Sequence, residues 1–130
     1  MLVIDASAGI QACLATDGFA PLESQELCAP PLLWSEATSV LHEMAWRREI
    51  SAELADIARD RLSHAPMRRQ QPRRLHREAW RIADALGWAK TYDAEYVALA
   101  GILRCPLLTI DARLASTASR LVDVIGPTEL

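Results

Sequence analysis

Leu2-Val3-Ile4-Asp5-Ala6-Ser7-Ala8-Gly9 is the stretch whose reading decides the fold. An unbroken apolar run with no polar alternation is what a strand buried on both faces presents, and such strands belong to parallel sheets covered by helices. The run stops at a carboxylate, and the small residues after it open a helix through Leu14. A strand passing directly into a helix is the first half of a βαβ unit, so the rest of the chain is read for repeats of that alternation.

Working outward, Asp17-Gly18 and Pro21 mark a loop, Leu27 to Ala29 is a second short strand, and Pro30-Pro31 sits at the front of another helix. In that helix Leu33, Ala37, Val40, Leu41 and Met44 form an apolar stripe bordered by Glu36. Ser51, Glu53 and Leu54 start a helix to about His64, which Pro66 ends. Met67 to Pro72 reads either as an extended edge segment or as a loop. Leu75, Ala79, Ile82, Ala83 and Leu86 give a helical stripe stopped by Gly87, and Thr91 can cap a helix from about Asp93 to Leu103. Pro106 to Ile110 reads as a buried strand, Ala112 to Ser119 as a helix and Val122 to Ile125 as a last strand. Short apolar strands between amphipathic helices imply one parallel sheet covered on both faces and wound by right-handed crossovers.

A chain of 130 residues is sized for a single domain, taken as 1–130. Val97 to Leu103, among the longest apolar stretches, falls far short of the roughly 20 residues of a membrane span. Met1 to Ile4 runs straight into Asp5 without the pattern of a signal peptide, so a cytoplasmic protein with no membrane association is expected. Cys13, Cys28 and Cys105 are far apart and are expected to be reduced core fillers. Arginine supplies 13 of the 14 basic residues. Five of those, Arg68, Arg69, Arg73, Arg74 and Arg77, form a run that is either a solvated surface or an RNA phosphate contact.

Four acids stand at strand ends or early in helices: Asp5, Glu36, Asp93 and Asp111. Taken singly, each reads as a helix cap or a solvated side chain. Taken together they differ, because Asp5 and Asp111 share the carboxyl edge of the sheet, where open α/β sheets bind ligands, and Glu36 and Asp93 flank stripes that face the sheet. Like charges about 6 Å apart repel by roughly 3 kcal/mol per pair at an effective dielectric near 20. A cation, a shared proton or an inserted arginine has to relieve that repulsion. With His42, His64, His76 and the cysteines outside the acid motifs, an all-oxygen site favours Mg²⁺, with Mn²⁺ as a substitute, over zinc. Outside these four acids the net charge of −3 becomes +1, no obstacle to a polyanion. Carboxylates holding a hard cation suit hydrolysis of a phosphodiester by water, without a side-chain nucleophile.

Asp5-Ala6-Ser7 after the first strand, Glu36 in Ser35-Glu36-x-x-x-Val40-Leu41, Tyr92-Asp93-Ala94-Glu95-Tyr96-Val97-Ala98-Leu99-Ala100 and Thr109-Ile110-Asp111 resemble the PIN-domain family, over nearly the whole chain. Within it the chain most resembles the small VapC-type toxins. The resemblance implies an α/β fold, a three-layer α/β/α sandwich whose central, mostly parallel sheet has four to five short strands. It further implies a Mg²⁺-dependent endoribonuclease, the toxin of a toxin–antitoxin pair, with RNA as substrate, a cognate antitoxin as partner and a homodimer as its assembly. By that resemblance Asp5, Glu36, Asp93 and Asp111 are the catalytic, metal-holding acids. Ser7 and Thr109 are either polar neighbours that orient them or caps, and Glu43 and Glu95 are candidates to supplement the site. Some members carry a further acid shortly after the last aspartate; Arg113 follows here, so one ion is expected rather than two.

Trp34, Trp46, Trp80 and Trp88 read as core or interface residues, with base stacking as the alternative. A haloacid-dehalogenase-like phosphatase needs a second aspartate where Ser7 stands, and a receiver domain needs paired acids where Ala6 follows Asp5. Two other readings stay open: a catalytically silent PIN-like binding module and a solitary RNA-processing nuclease.

Overall fold

The computed structural model describes residues 1–129. Five strands, β1 (Leu2–Ile4), β2 (Leu27–Ala29), β3 (Met67–Arg69), β4 (Leu107–Leu108) and β5 (Val124–Ile125), form one sheet in the order β3-β2-β1-β4-β5, and every pairing is parallel. Six helices connect them: α1 (Ala6–Leu14), α2 (Leu32–Trp46), α3 (Ala52–Ser63), α4 (Leu75–Leu86), α5 (Tyr92–Leu103) and α6 (Ala112–Ala118).

The chain steps from β1 to β2 to β3 in one direction, then crosses back over the sheet and adds β4 and β5 on the other side of β1. Right-handed crossovers therefore put α1, α2 and α3 on one face and α4, α5 and α6 on the other, which makes three layers. The packing agrees: α1, α2 and α3 contact one another, α4 lies against α5, and α5 lies on β1 and β4. The strand order reverses between β1 and β4, and Asp5 and Asp111 follow those two strands.

Burial explains why the elements form where they do. Leu2, Val3 and Ile4 are essentially inaccessible, as are Cys28 and Ala29 in β2 and Leu107 in β4, so the central strands are apolar throughout. Helix α5 is buried from Ala94 to Ala100, which explains its almost uniformly apolar sequence. Helix α4, by contrast, buries Leu75, Ala79, Ile82 and Ala83 and turns its charged residues outward. Gly87 ends α4 with φ +71°, a left-handed conformation that a side chain disfavours.

Several boundaries differ from the sequence expectation. Met67 to Pro72 resolves into an edge strand, Met67–Arg69, paired with β2, and an irregular stretch over 70–72. The strands β4 and β5 are two residues each, because they pair with one another only through Leu107–Val124 and Leu108–Ile125. Thr91 precedes α5 without a side-chain cap, and the acids Asp93 and Glu95 occupy the first turn, where the helix dipole favours negative charge. Cys13 and Cys28 are buried and Cys105 is partly buried, all three as free thiols. No helix among the described residues is long and apolar enough to cross a membrane.

Candidate active site

Asp5 caps the N-terminus of α1: its Oδ1 accepts from the backbone N–H of Ala8 at 2.9 Å. Two hydroxyls complete its surroundings. Ser7 Oγ donates to Oδ1 at 2.7 Å and Thr109 Oγ1 donates to Oδ2 at 2.5 Å. Each hydroxyl has one proton and both give it to Asp5, so the 3.2 Å contact between the two oxygens is an approach rather than a bond of its own. The same oxygens accept backbone N–H groups from the β4–α6 turn, Ile110 to Ser7 at 3.2 Å and Asp111 to Thr109 at 3.0 Å. Ser7 and Thr109 thus tie the end of β1 to the end of β4 and hold the Asp5 carboxylate in one orientation.

Asp111 caps α6, its Oδ1 accepting from the N–H groups of Arg113 at 2.9 Å and Leu114 at 3.2 Å. Glu36 projects from α2, and its Oε1 accepts from the hydroxyl of Tyr96 on α5 at 2.5 Å. Asp93, in the first turn of α5, has no hydrogen bond or ion pair to its carboxylate among the described residues. All four acids line one open groove of about 740 Å³, together with Ser7, Tyr96 and an apolar rim of Ile10, Leu14, Val40 and Ile110.

Burial and neighbouring negative charge act on Asp5, Glu36 and Asp93 in the same direction. Burial raises the Asp5 carboxyl above its usual range, against the hydrogen bonds from Thr109, Ala8 and Ser7, and the negative charge of Asp111 adds to the rise. Desolvation raises Glu36, opposed by the Tyr96 hydroxyl and reinforced by Asp93 and Asp5. Desolvation likewise raises Asp93, with Asp111 and Asp5 adding to it. Asp5 and Asp93 are thus each within electrostatic reach of the other three acids. No basic side chain among the described residues forms an ion pair with any of the four.

The donor set is suited to a hard divalent ion. Oε2 of Glu36, Oδ2 of Asp111 and both oxygens of Asp93 are free of hydrogen bonds within the described protein, and the groove holds no thiol or imidazole that would favour a softer metal. As they are placed, no three acid, histidine or cysteine side chains among the described residues stand close enough together to hold a metal ion between them. Mg²⁺ ordinarily keeps several waters and takes one or two carboxylates directly, so a full protein shell is not required of such a site.

The remaining candidates lie elsewhere. Glu43 is on an exposed part of α2 and pairs with Arg47 at 2.9 Å. Glu95 is buried and pairs with His76 Nε2 at 3.6 Å, which holds α5 to α4 and turns the carboxylate away from the groove lining. Arg68 lies beside Glu26 at 3.6 Å, the Arg69 guanidinium covers the Trp34 ring, and Arg73, Arg74 and Arg77 are exposed around the start of α4. None of these five arginines lines the acid groove. Sequence reading assigned no role to Tyr96, although a tyrosine heading the aliphatic run Val97 to Leu103 signals a buried phenol that needs a partner.

No family model matches the chain. It is 36% identical over 119 residues to VapC ribonuclease Mb0985 of Mycobacterium bovis, covering 90% of this chain and 91% of that protein. The chain belongs to the VapC ribonuclease family. Ribonuclease VapC1 of Mycobacterium tuberculosis is a further relative, 36% identical over 121 residues and 88% of each chain. Among solved structures, PAE2754 from Pyrobaculum aerophilum superposes with a TM-score of 0.75 at 22% identity, covering 98% of this chain and 91% of its own. FitAcB from Neisseria gonorrhoeae superposes with a TM-score of 0.65 at 16% identity over the whole of both chains. A PilT N-terminus domain protein from Sulfolobus solfataricus follows at 0.54 and 18%, over 98% of this chain and 87% of its own. This VapC-family chain thus has the PIN fold expected from its motifs.

Proposed function

We propose that this chain is a Mg²⁺-dependent endoribonuclease, with Mn²⁺ able to substitute, acting as the toxin of a toxin–antitoxin pair. The observation that carries the reading is the groove at the β1–β4 switch point, where Asp5, Glu36, Asp93 and Asp111 gather without a basic partner among the described residues. Membership of the VapC ribonuclease family supplies the substrate class.

Asp93, Asp111 and Glu36 offer free oxygens for the ion, and Asp5, clamped by Ser7 and Thr109, offers a carboxylate whose orientation is set before anything binds. The bound cation would activate water and neutralise phosphoryl charge, so that no side chain has to act as nucleophile. The groove is open rather than enclosed, which suits a strand lying across it, as an internal cut requires. Ser7 and Thr109 act here as positioning residues. The arginines Arg68, Arg69, Arg73, Arg74 and Arg77 lie outside the groove, where they would contact flanking RNA.

The antitoxin belongs to the same reading. Ile10, Leu14, Val40 and Ile110 leave an apolar rim beside unneutralised carboxylates, a surface that suits a partner helix carrying a basic side chain. A homodimer and a cytoplasmic location are carried over from the family resemblance, and light scattering on the purified chain tests the first.

The experiment is RNA cleavage by the purified chain, freed of any partner. Cleavage in Mg²⁺ that stops on chelation and returns with Mn²⁺ supports the proposal. Cleavage that persists in chelator overturns the metal dependence. No cleavage of any RNA in either ion favours a silent binding module.

A further inference from the structure

The carboxyl edge of the sheet does not end at the acids. Asp5 follows β1, and two strands away β3 closes on Arg69, with β2 between them in the register Ala29–Arg69. At about 4.8 Å per strand, Arg69 lies roughly 10 Å along the edge from Asp5.

Arg69 has an unusual partner. Its guanidinium sits over the ring of Trp34, 4.4 Å from the centroid, and it forms no ion pair with a carboxylate among the described residues. Trp34 is half-buried near the start of α2, two residues before Glu36 but about 200° round the helix from it. The ring stands between two open grooves. One, of about 550 Å³, is lined by Thr38, Arg59, Leu62 and Met67 besides Trp34 and Arg69; the other, of about 570 Å³, by Ser35, Ser39 and His42. No carboxylate lines either, in contrast to the acid groove.

A flat ring beside a planar cation, bordered by hydroxyls and free of acids, has the chemistry of a stacking platform for single-stranded nucleic acid: the flat faces of the indole and of the guanidinium take a base. We propose that Trp34 and Arg69 form a subsite, outside the acid groove, in which a base of single-stranded RNA is stacked. The proposal rests on the ribonuclease reading for its substrate. It gives the basic run a division of labour, with Arg69 engaging a base while Arg68 is occupied by Glu26.

The test measures binding rather than cleavage, so that it stands apart from the metal reading. A short fluorescein-labelled single-stranded oligoribonucleotide and an abasic ribose-phosphate strand of equal length are titrated in chelator with the parent, Arg69→Ala and Trp34→Leu. Arg69 is exposed, so its variant keeps the test interpretable should Trp34→Leu fold poorly. Stacking on aromatic residues contributes roughly fivefold to 150-fold in affinity per base. The expected result is a loss of about tenfold or more in both variants on the RNA and little change on the abasic strand. Unchanged RNA affinity in both variants overturns the proposal and leaves the face to a protein partner. An equal loss on both strands overturns it too, leaving a phosphate contact alone. A parent chain that binds RNA in this base-dependent way yet never cleaves it upholds the subsite and removes the nuclease reading. One that cleaves RNA with no base dependence does the reverse.

Discussion

The hydroxyl of Tyr96, a residue 1% exposed, donates to Glu36 Oε1 at 2.5 Å and so joins α5 to α2 across the acid groove. Sixty residues separate the two in sequence. Tyr96 is the one buried phenol of the helix that also carries Asp93, and its bond sets where the Glu36 carboxylate points.

Tyr96→Phe removes that bond without changing the shape of the core. A hydrogen bond to a charged group contributes about 1.5–3 kcal/mol, so urea denaturation is expected to show a loss in that range at neutral pH. Calorimetric titration with Mn²⁺ is expected to show weaker binding, because Glu36 is no longer held. Full metal affinity in a destabilised variant would leave Tyr96 with a structural role only.

The metal-free chain is expected to gain stability from its site carboxyls as pH falls towards the ordinary carboxylate range. Asp5, Glu36 and Asp93 have raised carboxyl pKa values, so the folded chain takes up protons before the unfolded chain does. Stability from such groups is present at low pH and is lost as pH rises through their folded values. Thermal unfolding in chelator, followed upward from the ordinary carboxylate range, checks the sign, and a parent midpoint that falls relative to Asp93→Asn as pH is lowered would contradict it.

Asp93→Asn is expected to abolish cleavage while stabilising the metal-free chain at pH 7.5, because it removes a desolvated charge that no basic side chain offsets. A gain of about 1 kcal/mol corresponds to roughly 4 °C in Tm for a domain of this size. The opposite response, a lower Tm with activity retained, would remove Asp93 from the site.

Arg61 contributes to stability without touching the groove. Its guanidinium donates to the carbonyls of Cys13, Ala15 and Thr16, which ties α3 to the C-terminal end of α1. Arg61→Met is expected to lose about 2–3 kcal/mol, since charge-assisted bonds to carbonyls are lost together. RNA cleavage well below the lowered Tm is expected to match the parent.

The sequence carried the parallel α/β architecture openly, because the strands at the centre of the sheet are buried on both faces and so lack polar positions: Leu2-Val3-Ile4 and Leu27-Cys28-Ala29. The edges were harder to read. Met67-Arg68-Arg69 pairs with β2 alone and leaves both arginines in solvent, so its pattern does not separate a strand from a loop. Asp5 and Asp111 were legible as strand-end acids, and Glu36 and Asp93 from the helix stripes they flank. The Tyr96–Glu36 bond and the Arg69–Trp34 stack were not, because each joins segments far apart in sequence and neither leaves a periodic trace.

The central claim is that the four carboxylates form a divalent-cation site that cuts RNA. Its most direct test is a Mg²⁺ titration of RNA cleavage by the parent alongside Asp5→Asn and Asp93→Asn, with circular dichroism confirming that all three are folded. The account predicts saturable Mg²⁺-dependent cleavage by the parent and none by either variant at any Mg²⁺ concentration. Cleavage by both variants at the parent's rate, with the parent's Mg²⁺ dependence, would contradict it.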